Sequence, residues 1–141
     1  MRFASICCAA LLGLSTPYAI ADCWIITNIS GYGTTAHDRY DFTEDKITDG
    51  VFQVAVDGDN SKVTSVGKSL SGDGLVYVAV SSNTLIGFYH DTNLTTVETW
   101  SITNDKKVLY TKVINSPDNS WTTSRSMVGD VVGHCNPAQP N

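Results

Sequence analysis

The chain is built from short runs in which apolar and polar residues alternate, separated by clusters of Gly, Asn, Asp and Ser that recur roughly every 10–12 residues. A period of two belongs to a half-buried β-strand, because successive side chains point to opposite faces of a sheet. The pattern predicts strands over residues 23–29, 39–43, 51–56, 62–66, 75–80, 84–90, 94–102, 107–114 and 126–134. Between them stand Asp57-Gly58-Asp59-Asn60, Ser71-Gly72-Asp73-Gly74, Ser81-Ser82-Asn83, Asp91-Thr92-Asn93 and Asn104-Asp105-Lys106, rich in residues that accept positive φ or bond their own backbone. Turns this short join antiparallel neighbours. Two stretches keep a helical option. One is 36–47, through Ala36, Tyr40 and Ile47, although Tyr40 and Phe42 alternate better as a strand. The other is 127–135, where Met127, Val128, Val131, Val132 and Cys135 could share a helix face. Gly129, Gly133 and the valines tip that stretch towards strand.

Met1 and Arg2 open a positive head, residues 6–14 are apolar, and Ala19-Ile20-Ala21 is a small-x-small cleavage site. Residues 1–21 therefore read as a secretory signal peptide, with the mature chain starting at Asp22 and destined for secretion or the periplasm. Cys7 and Cys8 leave with the leader, so Cys23 and Cys135 remain. In an oxidising compartment this pair is expected to form a disulfide, which requires the chain ends to approach to roughly 4.4–6.8 Å between α-carbons. Residues 22–136 are then one β domain and 137–141 a flexible tail.

Eight or nine strands, joined mostly by tight turns and clamped end to end, fit an all-β, antiparallel up-and-down barrel of about eight strands. A two-sheet sandwich is the alternative. The strand pattern resembles that of the calycins, but the Gly-x-Trp opening of true lipocalins is missing. Trp24 follows Cys23, with no glycine two residues before it. The resemblance therefore implies a barrel and carries over no function.

The formal charge of −5 becomes more negative once Arg2 is removed, and the remaining Lys and Arg form no basic run, which argues against nucleic acid as a partner. No apolar stretch after residue 22 approaches the roughly 18–20 residues that span a bilayer. Motifs are weak. Gly67-Lys68-Ser69 lacks the first glycine of a phosphate loop, where Lys62 stands, and Ser65 and Lys68 have serine–lysine spacing without partner motifs. Asp57-Gly58-Asp59-Asn60-Ser61 starts like a calcium loop but has no glycine at the sixth position and Ser69 at the twelfth. His37, His90 and His134 lack paired metal-ligand spacing. No catalytic set, metal site or cofactor is expected.

Counting strand register yields one informative constellation. With Asn104-Asp105-Lys106 as a three-residue hairpin loop, Ile102 faces Val108, Trp100 faces Tyr110, and Glu98 faces Lys112. The same loop length at Asp91-Thr92-Asn93 sets Ile86 beside Glu98 and Phe88 beside Thr96. At Ser81-Ser82-Asn83 it sets Val78 beside Ile86 and Val76 beside Phe88. The face carrying Ile86, Phe88, Glu98, Trp100, Tyr110 and Lys112 is the candidate interior and ligand site. There Trp100 and Tyr110 would stack on a small apolar molecule while Glu98 or Lys112 orients its polar end. The opposite face, with Leu85, Tyr89, Val97, Leu109 and Val113, is apolar enough to be the interior instead, in which case Trp100 and Tyr110 form a surface patch suited to a protein partner. Trp24 and Trp121 are expected to pack at the domain ends, and Tyr32 to sit in a flexible glycine-flanked loop.

The first functional expectation is a non-enzymatic secreted module holding a small apolar ligand. The second is a protein-binding factor, such as an inhibitor of a basic extracellular hydrolase complemented by this acidic chain. An enzyme is third, resting on Glu98 with His90 on the same face.

Overall fold

The computed structural model describes residues 21–66 and 74–136. The leader up to residue 20, the Gly67-Lys68-Ser69 run and the 137–141 tail lie outside the described residues. Among the described residues nine strands form: β1 (Asp22–Thr35), β2 (Thr43–Lys46), β3 (Val51–Val56), β4 (Lys62–Val66), β5 (Val76–Ser81), β6 (Thr84–His90), β7 (Thr95–Ile102), β8 (Lys107–Asn115) and β9 (Thr123–His134). They make one antiparallel sheet in the order β4-β3-β1-β9-β8-β7-β6-β5, with β2 added to β1. The two end strands, β4 and β5, lie near each other without ladder pairing. The sheet is thus a nearly closed, calycin-like barrel rather than a sandwich.

The long strand β1 organises the closure. Its first half pairs with β3 from Asp22↔Val56 to Ile26↔Phe52, and its second half pairs with β2 from Ser30↔Lys46 to Gly33↔Thr43. Along its other edge it pairs with β9, with irregularities between Ile25 and Ile26 and between Thr27 and Ser30. The second irregularity places Asn28 at φ 55°, from where its amide donates to Asp130 at 3.0 Å. Local bulging of this kind bends a strand and raises its twist, as barrel closure requires.

Residues 127–135 are strand, because β9 must serve two ladders, to β1 and to β8. Gly129 is part of the reason. A Cβ there would meet Ile29 Cγ1 at 2.8 Å and Val108 Cγ1 at 2.9 Å. The expected strand over 39–43 does not form. Arg39 and Tyr40 lie at φ 55° and 64°, in the left-handed region, and β2 begins only at Thr43. The cause is local bonding: the Thr35 hydroxyl donates to Asp38 at 2.8 Å and accepts from the Asp38 amide at 3.1 Å, while the Tyr40 amide donates to the Thr35 carbonyl at 2.9 Å. Side-chain bonds to nearby backbone compete with a ladder in this way. Tyr32 corrects a second expectation, since Gly31-Tyr32-Gly33 lies inside β1 and not in a loop.

The β7–β8 hairpin has the expected register, with Ile102↔Val108, Trp100↔Tyr110 and Glu98↔Lys112. The β6–β7 register differs by one residue, giving Gly87↔Glu98, Ile86↔Thr99, Phe88↔Val97 and Leu85↔Trp100. Leu94 belongs to the connecting loop, which closes with the Asp91 amide donating to the Leu94 carbonyl at 2.9 Å. A slip of one residue turns every side chain of a strand to the other face. Ile86 and Phe88 therefore face outward, and Leu85 is buried inside. Val78↔Ile86 and Val76↔Phe88 pair as expected, although by another route. Ser81 pairs with Thr84, and an irregularity between Ala79 and Ser81 restores the register.

Cys23 and Cys135 form the disulfide, 4.9 Å apart between α-carbons and 112 residues apart in sequence. The Cys135 amide also donates to the Cys23 carbonyl at 2.9 Å, continuing the β1–β9 ladder to the chain ends. Closing a loop of this length removes about 4–5 kcal/mol of unfolded-state chain entropy in the chain-entropy model. The Cys23→Ala/Cys135→Ala variant is expected to lose stability on that order, measured as a lower urea midpoint with a steeper slope, because the unfolded chain without its crosslink is more expanded. An unchanged midpoint would show that the clamp contributes nothing.

Candidate functional site

Interior-facing positions of β5 to β8 converge on one carboxylate. Glu98 is fully buried, and its two oxygens take four donors. Oε1 accepts from the Tyr77 hydroxyl and, at 2.9 Å, from Trp100 Nε1. Oε2 accepts from the Tyr110 hydroxyl at 3.2 Å and pairs with Lys112 Nζ, also at 3.2 Å. Each donor arrives for a reason visible in the ladders. Trp100 is two residues from Glu98, hence on the same face; Lys112 is its direct cross-strand partner. Tyr77 reaches across Gly87, the residue paired with Glu98 on β6. A Cβ on Gly87 would run into the Tyr77 ring, 2.8 Å from Cδ1 and 2.9 Å from Cζ, so the missing side chain is what lets the ring through.

Below this layer the barrel is filled. Trp100 packs on Phe52 with ring centroids 5.2 Å apart and on Tyr110 at 4.5 Å, and all three rings are fully buried. Of the expected site residues, the structure brings Glu98, Trp100, Tyr110 and Lys112 together inside. It places Ile86 and Phe88 on the outer wall, the latter 46% exposed. Tyr77 and Phe52 were missed, as was the role of Gly87. The signal for Tyr77 was the glycine opposite a buried carboxylate, legible only with the correct β6 register. His90 is on the outer face, bonded through Nδ1 to Thr95 Oγ1 at 2.8 Å, so it is not on the same face as Glu98.

Above the carboxylate, towards the end where β1 finishes and β9 begins, the barrel mouth is a recess of about 480 Å³ lined by Leu75, Leu94, Ile114, Thr96, Tyr89 and Lys112. The same end carries two loops, 36–42 and 116–122, tied by the Ala36 amide donating to the Thr122 carbonyl at 3.0 Å. Phe42 and Trp121 on these loops are 73% and 72% exposed, and Tyr40 is more than half exposed. Trp121 therefore does not pack at the domain end, whereas Trp24 does, buried against His134 at 6.4 Å between ring centroids. The loops are ordered by bonding: the Trp121 amide donates to Ser116 Oγ at 3.0 Å, and Asn119 holds φ 61°.

The Asp57 to Ser61 run forms a 3-10 turn, with Ser61 Oγ accepting from the Asp57 amide at 2.9 Å and donating to the Gly58 carbonyl at 2.8 Å. Among the described residues no three His, Cys, Asp or Glu side chains converge as metal ligands would. No described helix is long and apolar enough to cross a membrane. No protein-family model, curated protein or solved structure matches the chain.

Two variants probe the carboxylate. Lys112→Met leaves Glu98 a buried charge without its cation and is expected to destabilise by about 3–5 kcal/mol, while Glu98→Gln/Lys112→Met recovers much of that loss. A denaturation series on the two variants reads the difference; equal losses would show that the pair is not coupled. Burial, then the negative charge of Glu98 and the bond to it, push the Tyr77 hydroxyl pKa well above its ordinary 10.0. The folded state thus favours protonated Tyr77, so its contribution is full below the unfolded value and declines as pH rises past it. Tyr77→Phe is expected to lower stability at neutral pH by about 1–3 kcal/mol, by leaving the carboxylate short of a donor, and to flatten the loss of stability above pH ~10. Parallel pH curves for the two proteins would contradict this.

Proposed function

We propose that the chain is a secreted, non-enzymatic binding module that acts through its loop-bearing end on a basic extracellular protein. The observation that carries this reading is the contrast between a filled interior and an aromatic exterior. Trp100, Tyr110 and Phe52 occupy the space where a deep ligand would sit, and the Glu98 carboxylate is committed to its four donors. Phe42, Trp121 and Tyr40 meanwhile stand in solvent on loops held by hydrogen bonds, with Tyr40 in a left-handed conformation that is unfavourable for a bulky residue. Large exposed aromatics on ordered loops are the residue types that anchor protein interfaces. Asp38 and Asp41 on the 36–42 loop and Glu44 just beyond it outnumber Arg39 and Lys46, while Asp45 is paired with Arg125 at 2.9 Å, and this acidic excess favours a basic partner by complementarity. The disulfide and the leader-like first residues support export to an oxidising compartment.

The mouth recess supports a second reading, a small amphiphile with an anionic head near Lys112 and an apolar body against Leu75, Leu94 and Ile114. It retains the ligand expectation but moves it above the Trp100 and Tyr110 layer.

The test uses the oxidised chain as bait against extracytoplasmic protein, beside Phe42→Ser/Trp121→Ser. The expected outcome is a basic protein retained by the wild type, weakened at least ~10-fold by the double variant and released by salt as exposed charges are screened. Equal retention by both baits removes the loop end from the interaction.

A further inference from the structure

The row of interior positions that carries Glu98 continues past it around the barrel. Glu98 pairs with Lys112 across β7 and β8, Lys112 with Arg125 across β8 and β9, and Arg125 with Gly33 across β9 and β1. Direct partners in a ladder share a face, so Lys112 and Arg125 stand side by side on the inner surface. The neighbouring row agrees, since Tyr110 pairs with Met127 and both are buried. Gly33 leaves room for the guanidinium on the β1 side. A Cβ there would come within 3.4 Å of Arg125 Cγ and 3.2 Å of Asp45 Oδ2, and Arg125 Nε meets that Asp45 oxygen at 2.9 Å.

Two cations directly opposite each other on adjacent strands repel. Each is offset by one carboxylate, Lys112 by Glu98 Oε2 at 3.2 Å and Arg125 by Asp45. Neither acid takes all that its cation can donate. Lys112 has three N–H donors on a side chain only 9% exposed, and Glu98 divides its oxygens among four groups. Arg125 has five donors and meets Asp45 through Nε. Donors held away from water in this way gain from any further acceptor brought to them. Lys112 also lines the mouth recess of about 480 Å³, beside Leu75, Leu94, Ile114 and the buried Thr96. Asp91, bonded to the recess residue Tyr89 at 2.6 Å, has its charge taken up by that hydroxyl and by the Asn93 and Leu94 amides.

We propose that Lys112 and Arg125 together bind the carboxylate of a monoanionic amphiphile whose apolar body lies in the mouth recess against Leu75, Leu94 and Ile114. This deepens the second reading of the recess and rests on it, naming the head group and adding Arg125 to its site. The charges of the row select a single negative charge. Glu98, Lys112, Arg125 and Asp45 balance two against two, so a monocarboxylate adds one excess charge where a phosphate monoester would add about two. A carboxylate is also the planar acceptor that a guanidinium fork matches. An uncharged head would leave the two cations opposed. The filled layer of Trp100, Tyr110 and Phe52 keeps the apolar body at the mouth.

Calorimetric titration of the oxidised mature chain with octanoate, octan-1-ol and acetate tests the proposal. Octanoate is expected to bind at least ~10-fold more tightly than either of the others, since octanol lacks the charge-assisted bonds and acetate the apolar body. Arg125→Gln is expected to weaken octanoate at least ~10-fold and to leave octanol unchanged. Asp45→Asn, which frees the guanidinium, is expected to tighten octanoate, and it serves as the second variant should Arg125→Gln fail to fold. Glu98→Gln/Lys112→Met, which removes both charges of the buried pair, is expected to bring octanoate down towards octanol. Phe42→Ser/Trp121→Ser is expected to bind octanoate like the wild type, which separates this site from the loop end. Octanoate and octanol binding alike, or an Arg125→Gln variant that binds octanoate unchanged, overturns the proposal and leaves the recess an apolar site. Acetate binding as tightly as octanoate overturns the amphiphile, and failure of octanoate and octanol alike overturns the recess reading with it.

Discussion

One buried carboxylate sets the arrangement of the upper half of the barrel. Glu98 has no exposed surface, so its charge is tolerable only with its lone pairs satisfied, and the four groups that satisfy it come from β5, β7 and β8. A one-residue slip of β7 against β8 would send Glu98 outward and bring Val97 in, leaving Lys112 buried without its anion. Apolar packing alone discriminates weakly between neighbouring registers, since Val97 and Val113 would fill an interior acceptably. The ion pair does discriminate, and Trp100, Tyr110 and Tyr77 follow the position it fixes. Its value lies in specifying which face is inside more than in net stability, because desolvation of two ions offsets much of their attraction.

The same network explains why the interior was partly legible in the sequence. Opposite charges and paired aromatics on β7 and β8, joined by a turn of recognisable chemistry, gave the right pairings because hairpin loop length and side-chain chemistry agreed there. At the preceding turn they gave conflicting signals. Leu94 looks like the first residue of a strand, yet Asp91 Oδ1 accepts from the Asn93 amide at 2.7 Å and the Leu94 amide at 2.8 Å, holding Leu94 in the loop. One residue of difference reversed β6, taking Ile86 and Phe88 outside and Leu85 inside. The error did not spread to the β5–β6 pairing, because the β5 irregularity compensates for a shorter turn. Gly87 could have decided the matter: a glycine within an apolar strand signals close approach of another group, here the Tyr77 ring. The chain ends were legible for a simpler reason, since the expected leader takes Cys7 and Cys8 with it and leaves Cys23 and Cys135 one pairing, the one the structure holds.

Trp121 and Tyr40 show what the alternation of apolar residues cannot convey. Hydrophobic pattern reports which faces are able to be buried, and tryptophan carries a strong prior for burial. Whether a loop residue is buried depends on where its backbone bonds lead. Around Trp121, Ser116 and Asp118 take those bonds, with Asp118 held below the usual carboxylate range chiefly by the Ser120 hydroxyl and amide, and the tight turn directs the indole to solvent.

A filled interior changes where function can reside. In an open barrel, interior residues answer to a ligand and the outer wall needs only to be soluble. In this chain the interior answers to the carboxylate and its donors, which leaves the mouth, the loop end and the wall as the surfaces open to a partner. The wall is the place where solubility would be expected to dominate, and there the chain carries valine, leucine, phenylalanine and hydroxyls bonded to one another instead of charge. Lysine is the usual residue for keeping exposed β-surface from associating, and it stands at the border, on Lys107, paired to Asp130.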